Sequence, residues 1–183
     1  MASALTLHRS CVWVLAAGLL VSAGLHSLQA ETVPTPELTE GPYYKAGSPE
    51  RDTLYAQSDP GKRIVVTGKV YRADGKPAPR AWLDFWQADA MGRYDNAGFA
   101  YRGHVFTAAD GSYSMRTVLP GEYPGRTPHI HVKLRDGSGP ELTTQLYFPE
   151  FSSHNNRDTI YDPRLVVRWD VDGKTARFDF MLP

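Results

Sequence analysis

Two histidines separated by one residue, His129 and His131, are the side chains of this sequence best suited to binding a metal ion. They belong to the run HIHVKL, in which alternate side chains would point to opposite faces of a β-strand. Ile130, Val132 and Leu134 share the opposite face, which is the natural core face. Both imidazoles therefore project together toward a cleft or toward solvent. Two imidazoles held side by side can share one metal ion, although an ordinary solvated strand face would show the same pattern.

Any further ligands must come from oxygen-bearing side chains, and two tyrosines are well placed in the sequence. Cys11, the only cysteine, lies in an apolar N-terminal run, and the His-Glu-x-x-His motif of zinc enzymes is absent. Tyr123 lies on a Pro- and Gly-rich loop before HIHVKL, and Tyr94 follows the aromatic run that ends at Trp86. Phenolate is a hard anionic ligand that favours a highly charged ion such as Fe(III). Because the chain has ten tyrosines, either one taken alone is more simply an amphipathic residue packed at the end of a strand.

These candidate ligands lie among short segments that are typical of β-strands. From Arg63 onward, runs rich in β-branched and aromatic residues are separated by Asp-Gly turn signals, and no helical stretch of convincing length intervenes. The runs are RIVVTGKVY, RAWLDFWQA, GSYSMRTVL, HIHVKL, LTTQLYF, RLVVRW and ARFDFML. This pattern predicts an all-β fold, an antiparallel β-sandwich of about seven to eight strands.

The N-terminal part of the chain differs in composition from the rest. Residues 1–30 combine a weakly basic start, an apolar run at 11–25 and a small residue at the end, as a secretory signal peptide does. A run of about 15 apolar residues is short of the roughly 20 that cross a bilayer, which argues against the alternative of a membrane anchor. We therefore predict an exported protein, periplasmic or secreted, with no membrane attachment after cleavage. Residues 31–62, rich in Pro, Gly and charge, predict an extended arm, and residues 63–183 form the sandwich domain.

Length and charge narrow the class of protein further. With 183 residues, the chain is long enough for one well-packed domain and short for two. Its 20 basic residues are balanced by 20 acidic ones, and no stripe of Lys and Arg interrupts this balance. Proteins dedicated to nucleic-acid binding usually have such a basic excess, so we expect no nucleic-acid partner.

Several short motifs then follow one another along the chain. They are TEGPYY at 39–44, GRY at 92–94, DGSY at 110–113, PGEYP at 120–124, RTPHIH at 126–131 and QLYF at 145–148. Each motif alone is weak, but their order resembles the intradiol ring-cleavage dioxygenases of the protocatechuate and catechol type. The resemblance extends from Thr39 to about Tyr147.

This resemblance implies a metal centre. In its pattern, Tyr94, Tyr123, His129 and His131 correspond to the four protein ligands of one mononuclear, non-haem Fe(III) per chain, with hydroxide from solvent completing the shell. Tyr123 corresponds to the ligand that leaves when a catechol binds the iron through both oxygens. The implied reaction is cleavage of the aromatic ring by O2 to give a muconate-type diacid.

The resemblance also implies a substrate pocket. Arg126 corresponds to an arginine that stabilises negative charge on the ring, and Gln145 to a glutamine beside the pocket. The arm contributes Tyr43 and Tyr44 to the pocket mouth. From the residues alone, Arg126 could instead be an ordinary loop arginine and Gln145 an outward-facing strand residue. The sequence is also compatible with assembly of the chain into a homo-oligomer.

Two departures from the family pattern limit what can be transferred. Only PGRTP separates Tyr123 from His129, whereas protocatechuate enzymes carry a longer loop there that shapes their pocket, so the substrate cannot be transferred. The helical N-terminal domain of catechol-type enzymes has no room in this chain, which is more similar to a small exported branch of the superfamily.

Two other functions remain consistent with parts of the sequence. The spacing of strands and turns is also typical of non-enzymatic exported modules of the transthyretin-like and carboxypeptidase-regulatory-like kind. Such modules do not need two histidines and two tyrosines together. A zinc or copper site built on the histidine pair would recruit His104 or His154.

Overall fold

The computed structural model describes residues 33–152 and 157–183, and in this part of the chain two β-sheets pack face to face. The strands are β1 (Arg63–Tyr71), β2 (Trp82–Gln87), β3 (Arg102–Phe106), β4 (Ser112–Val118), β5 (His129–Arg135), β6 (Leu142–Tyr147), β7 (Arg168–Trp169), β8 (Thr175–Arg177) and β9 (Phe180–Met181). Two short 3₁₀ helices, Pro149–Phe151 and Pro163–Leu165, lie between β6 and β7. Within the described residues, no helix is long and apolar enough to span a membrane. The predicted β-sandwich is confirmed, while the predicted signal peptide lies outside the described residues.

The two sheets differ in how their strands pair. One sheet has four strands in the order β3-β2-β5-β6, and all its pairs are antiparallel. The other has five strands, with β4, β1, β8 and β7 in order and β9 also paired with β1. Its β1–β4 pair is antiparallel, but β8 and β9 both run parallel to β1. The mixed pairing arises where the C-terminal segment returns along β1.

Most strands coincide with the apolar runs of the sequence, and three regions depart from them. One is ARFDFML, which is split between β8 and β9 instead of forming one strand. β1 has the bounds of its run, and β5 exceeds its run by one residue. RLVVRW instead begins in a 3₁₀ helix and only its last two residues form β7. β3, RGHVF, gives no apolar run because Arg102 and His104 point out of the sandwich and Gly103 supplies no side chain.

The core lies between the inner faces of the two sheets. Alternate residues of each strand point inward, and Leu83, Phe85, Val132, Leu134 and Val66 have no exposed surface. Burying each such side chain contributes about 1.5–3 kcal/mol relative to leaving it exposed. The apolar core of the sandwich is therefore built from the inner faces of the two sheets.

Residues 33–62, called the arm below, cross the outer face of the four-stranded sheet and contact its strands in the order β6, β5, β2 and β3. The contacts are Leu38 N–H to the Thr143 carbonyl at 2.8 Å, Glu40 to Lys133, the Tyr44 ring on Trp86 at 4.8 Å between centroids, and Arg51 N–H to the His104 carbonyl at 3.0 Å. The arm thus covers polar side chains that would otherwise face solvent.

Candidate metal centre and active site

The two histidines of β5 share one face of their strand, as the alternation predicts, but that face is not open to solvent. Only 4% of His129 and 3% of His131 is exposed. His131 lies in one row across the outer face of the sheet with Arg102, Trp86 and Gln145, because these residues are paired in register. The arm covers this row. A buried row of polar side chains is unusual on the outside of a sandwich and indicates a site.

The histidine pair presents two nitrogen atoms to one point. His129 Nδ1 lies 2.6 Å from the carbonyl oxygen of Thr127. A carbonyl only accepts, so this nitrogen carries the proton and His129 Nε2 has a free lone pair. His131 Nε2 lies 3.1 Å from that atom. Burial lowers the pKa of His129 to about 4 and that of His131 well below its ordinary value, so both rings are neutral at pH 7.

Three tyrosines surround the same point. Tyr94 Oη lies 3.5 Å from His129 Nε2, and the Tyr94 and Tyr123 rings lie 5.9 Å apart in an edge-on arrangement. Tyr43, from the arm, stacks on Tyr94 at 4.3 Å, and its Oη lies 2.7 Å from Tyr123 Oη. Burial raises the pKa of Tyr94, so its phenol stays protonated unless a strongly charged cation stabilises the phenolate.

Close contact between two loops sets the positions of Tyr94 and Tyr123. Gly92 has a φ of +76°, and a Cβ atom there would lie 2.1 Å from the Glu122 carbonyl oxygen. A Cβ atom on Gly121 would lie 2.5 Å from the Ala90 oxygen. Only glycine permits this approach. Sequence reasoning included both glycines in its motifs, each two residues before its tyrosine, but assigned them no role.

The second histidine is oriented by stacking, with no hydrogen bond at its Nδ1 atom. The His131 ring lies flat on Trp86, with centroids 4.8 Å apart and planes 10° from parallel. Among the buried side-chain polar atoms of the described residues, His131 Nδ1 is one of three without a hydrogen-bond partner. Gly41 of the arm faces this ring on another side, since a Cβ atom there would lie 3.5 Å from His131 Cε1.

Arg126 and Gln145, both predicted site residues, lie beside each other. One terminal nitrogen of Arg126 donates to Gln145 Oε1 at 2.6 Å, and Arg126 Nε donates to Asp158 Oδ1 at 2.8 Å. Gln145 Nε2 donates to the Thr39 carbonyl of the arm at 3.1 Å. Gln145 is therefore fully buried and does not face solvent. Sequence reasoning missed Asp158, since it lies in a segment without a recognisable motif.

The two neighbouring tyrosines of the arm have different surroundings. Tyr43 joins the histidines and tyrosines described above. Tyr44 packs against Trp86, donates to Asp84 Oδ2 at 3.4 Å and lies under the Lys133 ammonium, 4.1 Å from the ring centroid. Both tyrosines line a cleft of about 450 Å³. Its other lining residues are Pro42, Lys45, Asn96 and Arg102.

The zinc or copper alternative finds no support in the described part of the chain. His104 lies on β3, and its Nδ1 is 3.0 Å from Ser48 Oγ. Across residues 33–152 and 157–183, no group of three or more His, Cys, Asp or Glu side chains is arranged to hold a metal ion. His154 lies outside the described residues. The donor set that the fold does bring together is two imidazoles and two phenols, which suits a hard, highly charged ion such as Fe(III).

Comparison with known sequences gives a consistent result. Residues 39–177 match a protein family described as "Dioxygenase". The chain is 34% identical to a catechol 1,2-dioxygenase of Acinetobacter baylyi, in a match covering 81% of this chain and 61% of that protein. It is 33% identical to the alpha chain of protocatechuate 3,4-dioxygenase of Pseudomonas putida, covering 81% of this chain and 90% of that one. The chain therefore spans less than two thirds of the Acinetobacter protein and most of the Pseudomonas subunit.

A solved structure matches over most of both chains. It is the dioxygenase domain of a dioxygenase and carbohydrate-binding protein fusion from Streptomyces sp. SirexAA-E. The sequences are 51% identical, the TM-score is 0.77, and the match covers 82% of this chain and 98% of that domain. These matches favour an enzyme over a non-enzymatic transthyretin-like module. The chain belongs to the intradiol ring-cleavage dioxygenase family.

Proposed function

We propose that this protein binds one Fe(III) through Tyr94, Tyr123, His129 and His131 and uses it to cleave a catechol-type aromatic with O2. The observation that carries the proposal is the convergence of donor atoms, with two imidazole Nε2 atoms 3.1 Å apart and Tyr94 Oη 3.5 Å from one of them. Two phenolates and a hydroxide would neutralise Fe(III), which permits such a centre beneath the arm.

The reaction proposed is intradiol cleavage. Fe(III) held by these four residues would supply the chemistry that makes a catechol ring reactive toward O2. The bond between the two hydroxylated carbons breaks, and both atoms of O2 enter the product. A catechol and one O2 thus give one muconate-type dicarboxylic acid, with no other reactant needed.

The side chains of this protein would manage protons and charge. Tyr123 Oη, as a phenolate displaced by substrate, takes up one catechol proton, and Tyr43 Oη, 2.7 Å away, gives it a hydrogen-bond partner. The Arg126 guanidinium supplies positive charge beside Gln145 for the negative charge that develops on the substrate. The covering arm restricts access of water to the buried histidines.

Oxygen consumption tests this proposal. Iron-loaded protein is mixed with a panel of catechols in an oxygen electrode, and ¹⁸O2 is used to label the products. We expect one O2 consumed per catechol and both labelled atoms in a dicarboxylic acid. A ring-opened aldehyde, or no oxygen uptake by iron-loaded protein across the panel, would contradict the proposed reaction. His131→Ala protein supplied with the same amount of iron serves as the negative control.

We also propose that residues 1–30 direct export and are then removed, leaving the arm from residue 31 and the sandwich from residue 63. The apolar run at 11–25 and the small residue Ala30 support this. N-terminal sequencing of protein recovered outside the cytoplasm should begin near residue 31. An intact N-terminus on exported protein, or retention in the cytoplasm, would contradict it.

A further inference from the structure

Asp158 is a buried carboxylate that belongs to neither the predicted ligands nor the predicted substrate residues. Its side chain has no exposed surface, whereas 20% of the side chain of its partner Arg126 is exposed. Oδ1 accepts from Arg126 Nε at 2.8 Å, and Oδ2 accepts from the Thr127 N–H at 3.0 Å. The Asp158 carboxylate therefore binds the side chain of Arg126 and the backbone N–H of the next residue, Thr127.

The second of these contacts reaches the histidine pair through one residue. The carbonyl of Thr127 accepts the Nδ1–H of His129 at 2.6 Å, which fixes both the tautomer and the direction of His129 Nε2. The N–H and the carbonyl of Thr127 are thus bound on opposite sides, by Asp158 and by His129. A shift of this residue would move the imidazole with it.

The first contact fixes the guanidinium. Arg126 is held at two nitrogens, by Asp158 at Nε and by Gln145 at one terminal nitrogen. Hydrogen bonds between charged groups are stronger than neutral ones, and a buried ion pair is costly to break because the remaining charge is left without its partner. Gln145 alone is a neutral acceptor and is itself anchored to the arm.

We propose that Asp158 is a positioning residue that aligns Arg126 with the substrate and His129 with the metal through one carboxylate. This inference rests on the proposed function, since it assigns Asp158 to the same site. It predicts that substitution of Asp158 disturbs both contacts. Besides Arg126 and Thr127, the Ile160 N–H donates to this carboxylate at 3.3 Å. An amide has only one acceptor oxygen, so Asp158→Asn weakens these contacts, and Asp158→Ala removes them.

A double-mutant cycle tests the contact with Arg126. We expect Asp158→Asn and Arg126→Gln each to lower kcat/KM about 10- to 100-fold, as loss of a hydrogen bond to a charged group does. If Asp158 acts through Arg126, the double variant is no more than about threefold below the worse single variant. A double variant whose loss of kcat/KM equals the product of the two single losses would overturn the proposal. Asp162→Asn, which alters the nearby Asp162–Arg164 pair, should change kcat/KM by less than about twofold.

A second readout needs neither iron nor activity. In metal-free protein, NMR should show His129 as the Nδ1–H tautomer and a Thr127 amide protected from hydrogen exchange. Asp158→Ala should lower that protection at least about tenfold and mix the tautomers, because both depend on the placement of Thr127. Unchanged protection and tautomer would overturn the proposal. A parent protein that is inactive on every catechol while these shifts occur would count against the proposed function and leave the positioning of Thr127 and His129 supported.

Discussion

The outer faces of the two sheets follow the same alternating sequence pattern and have opposite surroundings. On the five-stranded sheet, charged side chains form pairs in solvent. They include Lys69 with Asp110 and Arg177 with Asp170, whose basic side chains are 40% and 50% exposed. On the four-stranded sheet, the corresponding polar side chains are buried. These are Asp84, Arg102, His131, Lys133 and Gln145, none of them more than 8% exposed.

The arm accounts for this difference. It crosses β6, β5, β2 and β3 and closes over a face whose residues would be ordinary surface residues without it. Covering polar groups is costly unless each finds a partner, so the covered face must be a hydrogen-bonded network or a ligand site. Here the network around Arg126 is such a hydrogen-bonded network, and the group of histidines and tyrosines beside it is the proposed ligand site. The same kind of substitution should therefore affect activity or stability very differently on the two faces.

The largest difference is expected between His131 and a residue of the exposed face. His131→Ala removes a proposed ligand, and activity of iron-supplemented protein should fall more than about 100-fold, because even residues that only support metal ligands are worth roughly 10- to 100-fold. Arg177→Ala breaks an exposed pair on the other sheet and should change activity by less than about twofold. Steady-state kinetics together with iron analysis would measure both. Equal losses from the two variants would contradict the proposed role of the covered face.

Two glycines with similar backbone conformations provide the next test. Gly92→Ala adds a Cβ atom 2.1 Å from the Glu122 oxygen, and Gly137→Ala adds one with nothing within 4 Å, although both residues have a positive φ. Gly137→Ala should cost about 1–2 kcal/mol of stability through its backbone alone. Gly92→Ala should cost at least about 2 kcal/mol more and reduce iron binding, because the two tyrosine loops must separate. Urea unfolding measures the difference, and equal costs would show that the loops are not closely coupled.

A smaller effect is expected at the tyrosines of the arm. Tyr43→Phe removes the hydrogen bond to Tyr123 and keeps the ring stacked on Tyr94. We expect a loss of about 0.5–1.5 kcal/mol in stability with iron retained. Tyr44→Phe loses only a 3.4 Å contact and should cost less. Thermal unfolding of both variants would measure these losses. A larger loss of stability in Tyr44→Phe than in Tyr43→Phe would contradict the view that Tyr43 makes the stronger hydrogen bond.

The smallest effect should appear in the pH dependence of two carboxylates. Burial under the arm raises the pKa of Asp84, whereas hydrogen bonds from Ser112 and the charge of Lys69 lower the pKa of Asp110. A raised pKa means that the ionised carboxylate destabilises the fold, so Asp84→Asn should raise stability at pH 7 and do so less at pH 4. The Asp110 contribution is present above its ordinary pKa of 3.8 and is lost in stronger acid, so Asp110→Asn should lower stability at pH 7. Urea midpoints of metal-free protein that shift in the same direction at pH 7 would contradict this contrast.

The sequence was sufficient for the sandwich and for the shared face of the two histidines, because both depend on local patterns. Period-two alternation and Asp-Gly turns are local signals, and they gave β1 its bounds and placed His129 and His131 on one face. β3 was missed because its outward side chains are Arg102 and His104. Those residues are suited to the arm that covers them and not to an apolar core.

The remaining features depend on contacts between distant segments. The burial of His131 under Gly41, and the approach of Gly92 to Glu122, follow from how an irregular arm and two loops pack. The hydrophobic periodicity of a sequence does not predict such contacts. Asp158 was missed for the same reason, since it meets Arg126 only in the folded chain. The motifs pointed to residues that the structure brings together, but not to what holds them in place.

The visible absorption spectrum of the iron-loaded protein tests the central claim most directly. Tyrosinate bound to Fe(III) gives a broad charge-transfer band, so the protein should be coloured and contain about one iron per chain. Tyr94→Phe and Tyr123→Phe should each shift or weaken that band, whereas Tyr71→Phe, on β1 in the other sheet, should leave it unchanged. An iron-loaded protein without the band, or a band identical in both the Tyr94 and the Tyr123 variants and the parent, would contradict the proposed metal centre.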